Sequence, residues 1–349
     1  TAVGHSALNA TTGGNNTAIG AEALNNNTTA SNNTAVGFES LKANTTGTPN
    51  VAVGYLALPA NTTGNDNVGV GAGALESNTT GSNNTALGRG TLGSNTTASD
   101  NTAVGNDALI ANTTGQFNTA VGGNALDANT TGGYNVAVGR ISLSANTTGG
   151  SNVAVGWNSL GSNTTANNNV AVGDYAMAAN TTGTRNVAVG ALALDANTTA
   201  NDNTAIGFNA MSANTTGQMN VVVGTYALDA STTGSFNVAV GRAALSTGTT
   251  ASYCTAIGFQ ALDLNSTGDN NTAVGYAALD AATAYNNTAV GHNAGTSLST
   301  GHSNTFLGQG AGESITSGDT NIMIGHNVEN NSAGADSVSY THLTLPTKA

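Results

Sequence analysis

The stretch "TAVGFESLKANTTGTPN", Thr34–Asn50, is followed at once by "VAVGYLALPANTTGNDN", Val51–Asn67. Seventeen residues are written twice with a few changes, and the pattern continues in both directions. Counted from the residue before "AVG" or its variants, units begin at 1, 17, 34 and then every 17 residues to 272. They resume at 288, 305 and 322, giving twenty starts. Position 4 is Gly and position 3 is Val, Ile or Leu in all twenty, and position 8 is Leu or Met in the first seventeen. Position 2 is Ala except at Gly69, Val222, Phe306 and Met323, and the residue preceding each new unit is Asn except at Cys254. Positions 11 to 14 usually read "NTTG" or "NTTA". A fixed period of this kind is the signature of a repeat architecture.

Seventeen residues are too few for two ordinary helices with their turns, and Asn, Thr, Gly and Val are weak helix formers. "T/V-A-V-G" reads as a short strand with positions 1 and 3 on the core face and Ala on the other. Gly at position 4 (Gly37, Gly54, Gly71, Gly88, Gly105) ends it, as a bend or a place of close backbone approach. "x-A-L-x-A" reads as a second strand carrying Leu41, Leu58 or Leu109 inward, and "NTTG" as a turn. Two strands and two bends make one coil of an all-β, parallel β-solenoid, a β-roll of about twenty coils. At ~4.8 Å per coil the stack would measure roughly 95 Å. This reading buries Val3, Val36, Val104 and Val189 with Leu41, Leu109 and Leu194, and exposes Arg89 and Arg140 at position 5.

Three segments are expected. Residues 1–287 hold the regular coils. Residues 288–327 hold variant coils in which Gly295 and Gly312 replace Leu at position 8, while Leu298 and Ile315 at position 11 take over the core. Residues 328–349 form a non-repeat tail, in which "VSYTHLTLPT", Val338–Thr347, resembles a translated sequencing adapter.

Composition removes several function classes. Only 7% of residues are charged, against roughly 25% in ordinary globular chains. The net charge is −12 and the six Lys and Arg form no cluster, so nucleic acid is not an expected partner. Regularly spaced aliphatic positions argue against disorder. Cys254 is the single cysteine, which leaves no internal disulfide framework. No apolar run approaches the ~18 residues of a membrane span.

Neither an enzyme nor a cofactor is expected, because no nucleophile, base or ligand constellation recurs. His5, His292 and His326 fall at variable position 5, where a solvated side chain is the simplest reading. Asp127, Asp195, Asp229, Asp263 and Asp280 share position 9, but only Asp263 and Asp280 are in neighbouring units. The fixed carboxylate pattern of a calcium solenoid is missing, so no metal is expected.

"NTT" at position 11 is an N-glycosylation sequon. It recurs at Asn27, Asn44, Asn61, Asn78, Asn95, Asn112, Asn129, Asn146, Asn163, Asn180, Asn197 and Asn214, with "NST" at Asn265. Such a row could carry sugar along a fibre. The competing reading is a structural Asn ladder at the turn, and the takeover by Leu298 and Ile315 favours it by pointing position 11 inward. Aromatics at positions 5, 6 and 16 (Phe38, Tyr55, Phe117, Tyr134, Trp157, Phe208, Phe259) either stack on sugars or receptors or cover a seam between chains.

The units "NTAVGxxALxxNTTGxxN", as at Asn101–Gly105, resemble the head repeats of trimeric autotransporter adhesins. Together with the late variant "NTFLGQGAGESITSGDTNIMIG", Asn304–Gly325, they resemble even more the stalk repeats of tail-fibre proteins that end in a chaperone-of-endosialidase domain. The resemblance covers residues 1 to about 327. It implies a left-handed β-roll with three chains around one axis, at a cell surface, on a virion or in an extracellular filament. Two departures bear on this: the adhesin-head unit is typically shorter than seventeen residues, and the chaperone domain, coiled-coil stalk and anchor are not in this sequence. The expected function is a structural and adhesive fibre shaft that pairs with itself as a homotrimer, with a host receptor or surface glycan as a further partner. The alternative is an ice-binding protein using the stacked Thr at position 13. Adjacent Thr residues point to opposite faces, so "TT" offers only one row per face.

Overall fold

A computed structural model describes residues 1–9, 11–329 and 337–340. Among them there is no helix, and every regular element is a short parallel strand. The chain forms two compact units, Thr1–Thr182 and a second beginning at Gly183. Each is a parallel β-solenoid. The first holds eleven strands, from Ala2–Val3 to Val170–Val172, and the second ten, from Val187–Val189 to Val338–Tyr340. Registers repeat with the period of the sequence: Val153 pairs with Val170, Ala154 with Ala171 and Val155 with Val172. The sixteen-residue unit at Thr272 keeps register, since Thr272 pairs with Thr288 and Ala273 with Ala289.

The sidedness of the strand is opposite to the expectation. Ala at position 2 is fully buried in coil after coil, as at Ala35, Ala103 and Ala188. Val at position 3 faces outward: Val3 is 59% exposed, and Val36, Val104 and Val189 are only half-buried. The cause is the width of the coil. Leu at position 8 packs directly against position 2. A Cβ placed on Gly69 would lie 2.7 Å from Cδ1 of Leu58, so positions 2 and 8 share one small volume. Ala plus Leu fills it and position 3 is turned out; Val222, with Met211 at position 8 of the preceding coil, is the branched residue that position 2 buries.

The second expected strand is also absent. Positions 5 to 10 form consecutive turns, and the residues at positions 6 and 8 are left-handed, with φ 54° at Glu39 and 48° at Leu41. A left-handed L-residue costs roughly 1–2 kcal/mol. Burying a Leu returns about 1.5–3 kcal/mol, and the turn is tied to its neighbour because the Leu41 N–H donates to the Ala57 carbonyl at 3.0 Å. Leu41, Leu58, Leu109 and Leu194 are fully buried, as expected. Gly at position 4 meets two constraints at once. Gly105 has φ 136°, and a Cβ there would sit 2.5 Å from the carbonyl oxygen of Gly122 in the next coil.

The rest of the interior is polar and largely paired, the buried Ser231 hydroxyl at position 11 being an exception. The position-11 side chain of Asn61 donates to Asn44 Oδ1 at 2.9 Å and to the Gly64 carbonyl at 3.0 Å. At position 17, Asn50 Oδ1 accepts from the Asn67 backbone N–H at 2.9 Å, and Asn67 Nδ2 donates to the Gly81 carbonyl at 2.9 Å. Thr at position 12 adds an outer rung, with Thr62 Oγ1 donating to the Thr79 carbonyl at 3.1 Å. Buried amides satisfied in this way each contribute about 0.5–1.5 kcal/mol net.

The variant coils exchange these roles within the same register. Leu298 and Phe306 are fully buried and Ile315 is nearly so. A Cβ on Gly295 or on Gly312 would come within 2.5 Å of the Phe306 ring, so the ring fills the space that Leu occupies elsewhere. Within the adapter-like stretch, Val338–Tyr340 pairs in parallel with Ile322–Ile324 and adds a rung to the stack. The remainder of that stretch, residues 341–347, lies outside the described residues.

Candidate binding surfaces

Because Ala takes the interior, each strand presents positions 1 and 3 to solvent. The result within each unit is a partly exposed apolar stripe of Val, Ile and Leu with Thr interspersed. Ile19, Val51, Val68, Leu87, Val121 and Val138 are each at least 36% exposed in the first unit, as are Ile206, Val221, Val223 and Ile257 in the second. Contiguous exposed apolar patches are where soluble proteins meet partners. The stripe is a product of the register, since every strand adds the same two side chains at the ~4.8 Å spacing of neighbouring strands.

A second surface is a row of hydroxyls. Thr at position 13 is exposed in every coil from Thr29 to Thr182 in the first unit and from Thr199 to Thr267 in the second. Its neighbour at position 12 uses its hydroxyl inside the stack, as Thr113 Oγ1 does toward the Thr130 carbonyl at 3.0 Å. The single row expected from the "TT" pair is what the coil displays.

The aromatics form a third surface, and their order was not recognised in the sequence. Each outward-facing Phe and the single Trp contacts a Tyr in the following coil. Phe38 lies on Tyr55, Phe117 on Tyr134, Phe236 on Tyr253 and Phe259 on Tyr276, all stacked with centroids 4.9–5.6 Å apart. Trp157–Tyr175 and Phe208–Tyr226 meet edge to face. The Tyr is on the C-terminal side every time. The signal was legible as an aromatic recurring after 17 or 18 residues. At one pair the surface dips into an open groove of about 470 Å³, where Gly133 and Gly150 lie beside Phe117, Tyr134 and Asn168.

The thirteen sequon asparagines, from Asn27 to Asn265, are buried to the last atom. Their amide nitrogens are spent on the ladder, as Asn112 Nδ2 is on Asn95 Oδ1 and the Gly115 carbonyl, each at 3.0 Å. A glycan on that nitrogen would displace both bonds and the neighbouring coil, so the folded solenoid has no room for it. Arg89, Arg140 and the position-5 histidines His5, His292 and His326 are exposed.

The position-9 carboxylates are half-buried. Burial raises the pKa of Asp127, Asp195, Asp229 and Asp280, and the nearby Asp263 charge raises Asp229 and Asp280 further. Among the described residues no three His, Cys, Asp or Glu side chains converge, and no helix is long and apolar enough to cross a membrane. Cys254 replaces one rung of the position-17 ladder. Its N–H donates to Asn237 Oδ1 at 2.9 Å and its thiol to the Gly268 carbonyl at 3.2 Å. Burial pushes that thiol up to about 11, so it stays protonated and inert at neutral pH. No protein-family model matches the chain, and no curated protein matches it significantly.

Proposed function

We propose that this chain is a non-catalytic structural and adhesive shaft that assembles with copies of itself, as a homotrimer, outside the cell or on a virion. The observation that carries the reading is the apolar strand stripe. In most coils Ala, Leu and two Asn rows already fill the interior, yet position 3 keeps its Val, Ile or Leu on the outside. A second copy supplies the burial those residues lack, at about 25 cal/mol per Å² of apolar area removed from water. Identical coils make the contact additive along the chain, so length adds strength without new chemistry. The resemblance to adhesin heads and tail-fibre stalks supports three chains. Negative-stain electron microscopy of the full chain tests the reading: straight particles wider than a single coil are expected, and particles one coil wide would refute it.

The Thr row supports a second reading, ice binding. Fifteen successive position-13 threonines, Thr29 to Thr267, are exposed at regular spacing within each unit. One row is a narrow platform, which favours the shaft. Thermal hysteresis in a freezing droplet would reverse that preference.

A further inference from the structure

We propose that the groove beside Phe117 and Tyr134 binds a neutral sugar, one pyranose ring stacking on the free face of Tyr134. Phe117 covers one face of Tyr134 at 4.9 Å between centroids, with the rings 17° from parallel. Its other face is open, and the tyrosine is 65% exposed. The next residue in that row is Ser151, too small to cover it, and the row then continues to Asn168. Position 15 of the same coil is Gly150, so the floor of the groove is backbone. Thr131 and Thr148 form one wall. The opening between Tyr134 and Asn168 spans two coils, ~9.6 Å at the strand spacing, which is room for a ring in van der Waals contact with the tyrosine and hydrogen-bonded beyond it.

The chemistry selects the ligand. A carbon-hydrogen face of a pyranose packs on an aromatic ring, and its hydroxyls need donors and acceptors of both kinds. The Thr131, Thr148 and Ser151 hydroxyls and the Asn168 amide offer both. No charged side chain lines the groove, which favours a neutral sugar over a uronic or sialic acid. A peptide would find neither a free strand edge nor an ionic anchor there. The inference deepens the adhesive part of the proposed function and rests on that part, while it is independent of the oligomer.

Isothermal titration calorimetry of the full chain with soluble hexasaccharides tests it: neutral gluco-, manno- and N-acetylglucosamine oligomers in one arm, oligogalacturonate in the other. At least one neutral oligomer should bind. Tyr134→Ala should weaken it roughly tenfold or more, the scale of one aromatic stacking contact. Gly150→Gln fills the slot with a residue that position 15 already carries at Gln116, and it should have the same effect. Tyr55→Ala should change nothing, and all three variants should keep the parent melting curve and sedimentation. Binding by none of the neutral oligomers, binding of the acidic one alone, or full affinity in both groove variants would overturn the proposal. A loss of self-association with sugar binding intact would instead count against the shaft.

Discussion

Asn61 donates its side-chain amide to Asn44 Oδ1 at 2.9 Å, from one coil to the next, seventeen residues apart. Asn78 does the same to Asn61 at 3.0 Å, so each amide is held by the coil before it and holds the coil after it. A buried amide in such a chain cannot be lost alone. Removing one leaves its partners unpaired in a water-free interior, at about 1–3 kcal/mol for each group.

The first prediction concerns that ladder. Asn112→Ala deletes donations to Asn95 Oδ1 and the Gly115 carbonyl and removes the acceptor of Asn129. It should destabilise the first unit by about 2–4 kcal/mol. Thr114→Ala, two residues away on the exposed row, should be nearly silent. Paired thermal melts by circular dichroism read the contrast; equal melting would mean that Asn112 is not in the interior.

Glycine at position 4 gives a second contrast within one short segment. Gly105→Ala places a Cβ 2.5 Å from the Gly122 carbonyl oxygen at φ 136°, so about 3 kcal/mol or more should be lost. Gly123→Ala meets nothing within 4 Å, and should leave the melting temperature unchanged or slightly raised.

Cys254 offers a stabilising change. A sulfur is a weak acceptor and donor in a row of amides. Cys254→Asn should restore a full rung toward the Gly268 carbonyl and the Asn271 N–H, adding about 1 kcal/mol to the second unit. A lower melting temperature would show that the local coil has adapted to sulfur.

Acid should stabilise the fold over a limited range. Asp127, Asp195, Asp229 and Asp280 have raised folded-state pKa values, chiefly from burial. The folded chain therefore binds more protons than the unfolded chain just above the ordinary carboxylate range. Stability should rise as pH falls through the raised values and level off below the unfolded ones. Asp202 opposes this, because its hydrogen bonds from Arg185 lower its pKa, but that pair is exposed and contributes little. Melts between pH 7 and 4 read the slope. Changing all four residues to Asn should flatten it, and a fall on acidification would contradict the burial.

The period, the position-4 glycine and the buried Leu of position 8 were legible because each depends on one repeated residue type. The inward turn of position 11 was legible from one exchange, Leu298 and Ile315 replacing Asn, and both are buried. Which way the strand faces was not. Hydrophobicity ranks Val36 above Ala35, but position 2 shares a small volume with the Leu at position 8 of the preceding coil, and that constraint is invisible until the two positions are seen to touch. The left-handed φ at Leu41 was hidden for a similar reason, since intrinsic preference disfavours it and only the stack compensates. The aromatic pairing could have been read from Phe38 and Tyr55, seventeen residues apart, but the pairs shift among positions 5, 6 and 16.

Sedimentation equilibrium tests the central claim, that the outward strand stripe is a self-association face. The full chain has a mass of 34.0 kDa. It should sediment at three times that mass at micromolar concentration. Replacing Val104, Val121 and Val138 together with Ser should shift the equilibrium toward single chains while the circular dichroism melt of the isolated coil interior, Leu109 included, is retained. A wild-type chain that remains at 34.0 kDa throughout, with its apolar stripe left in water, would contradict the account.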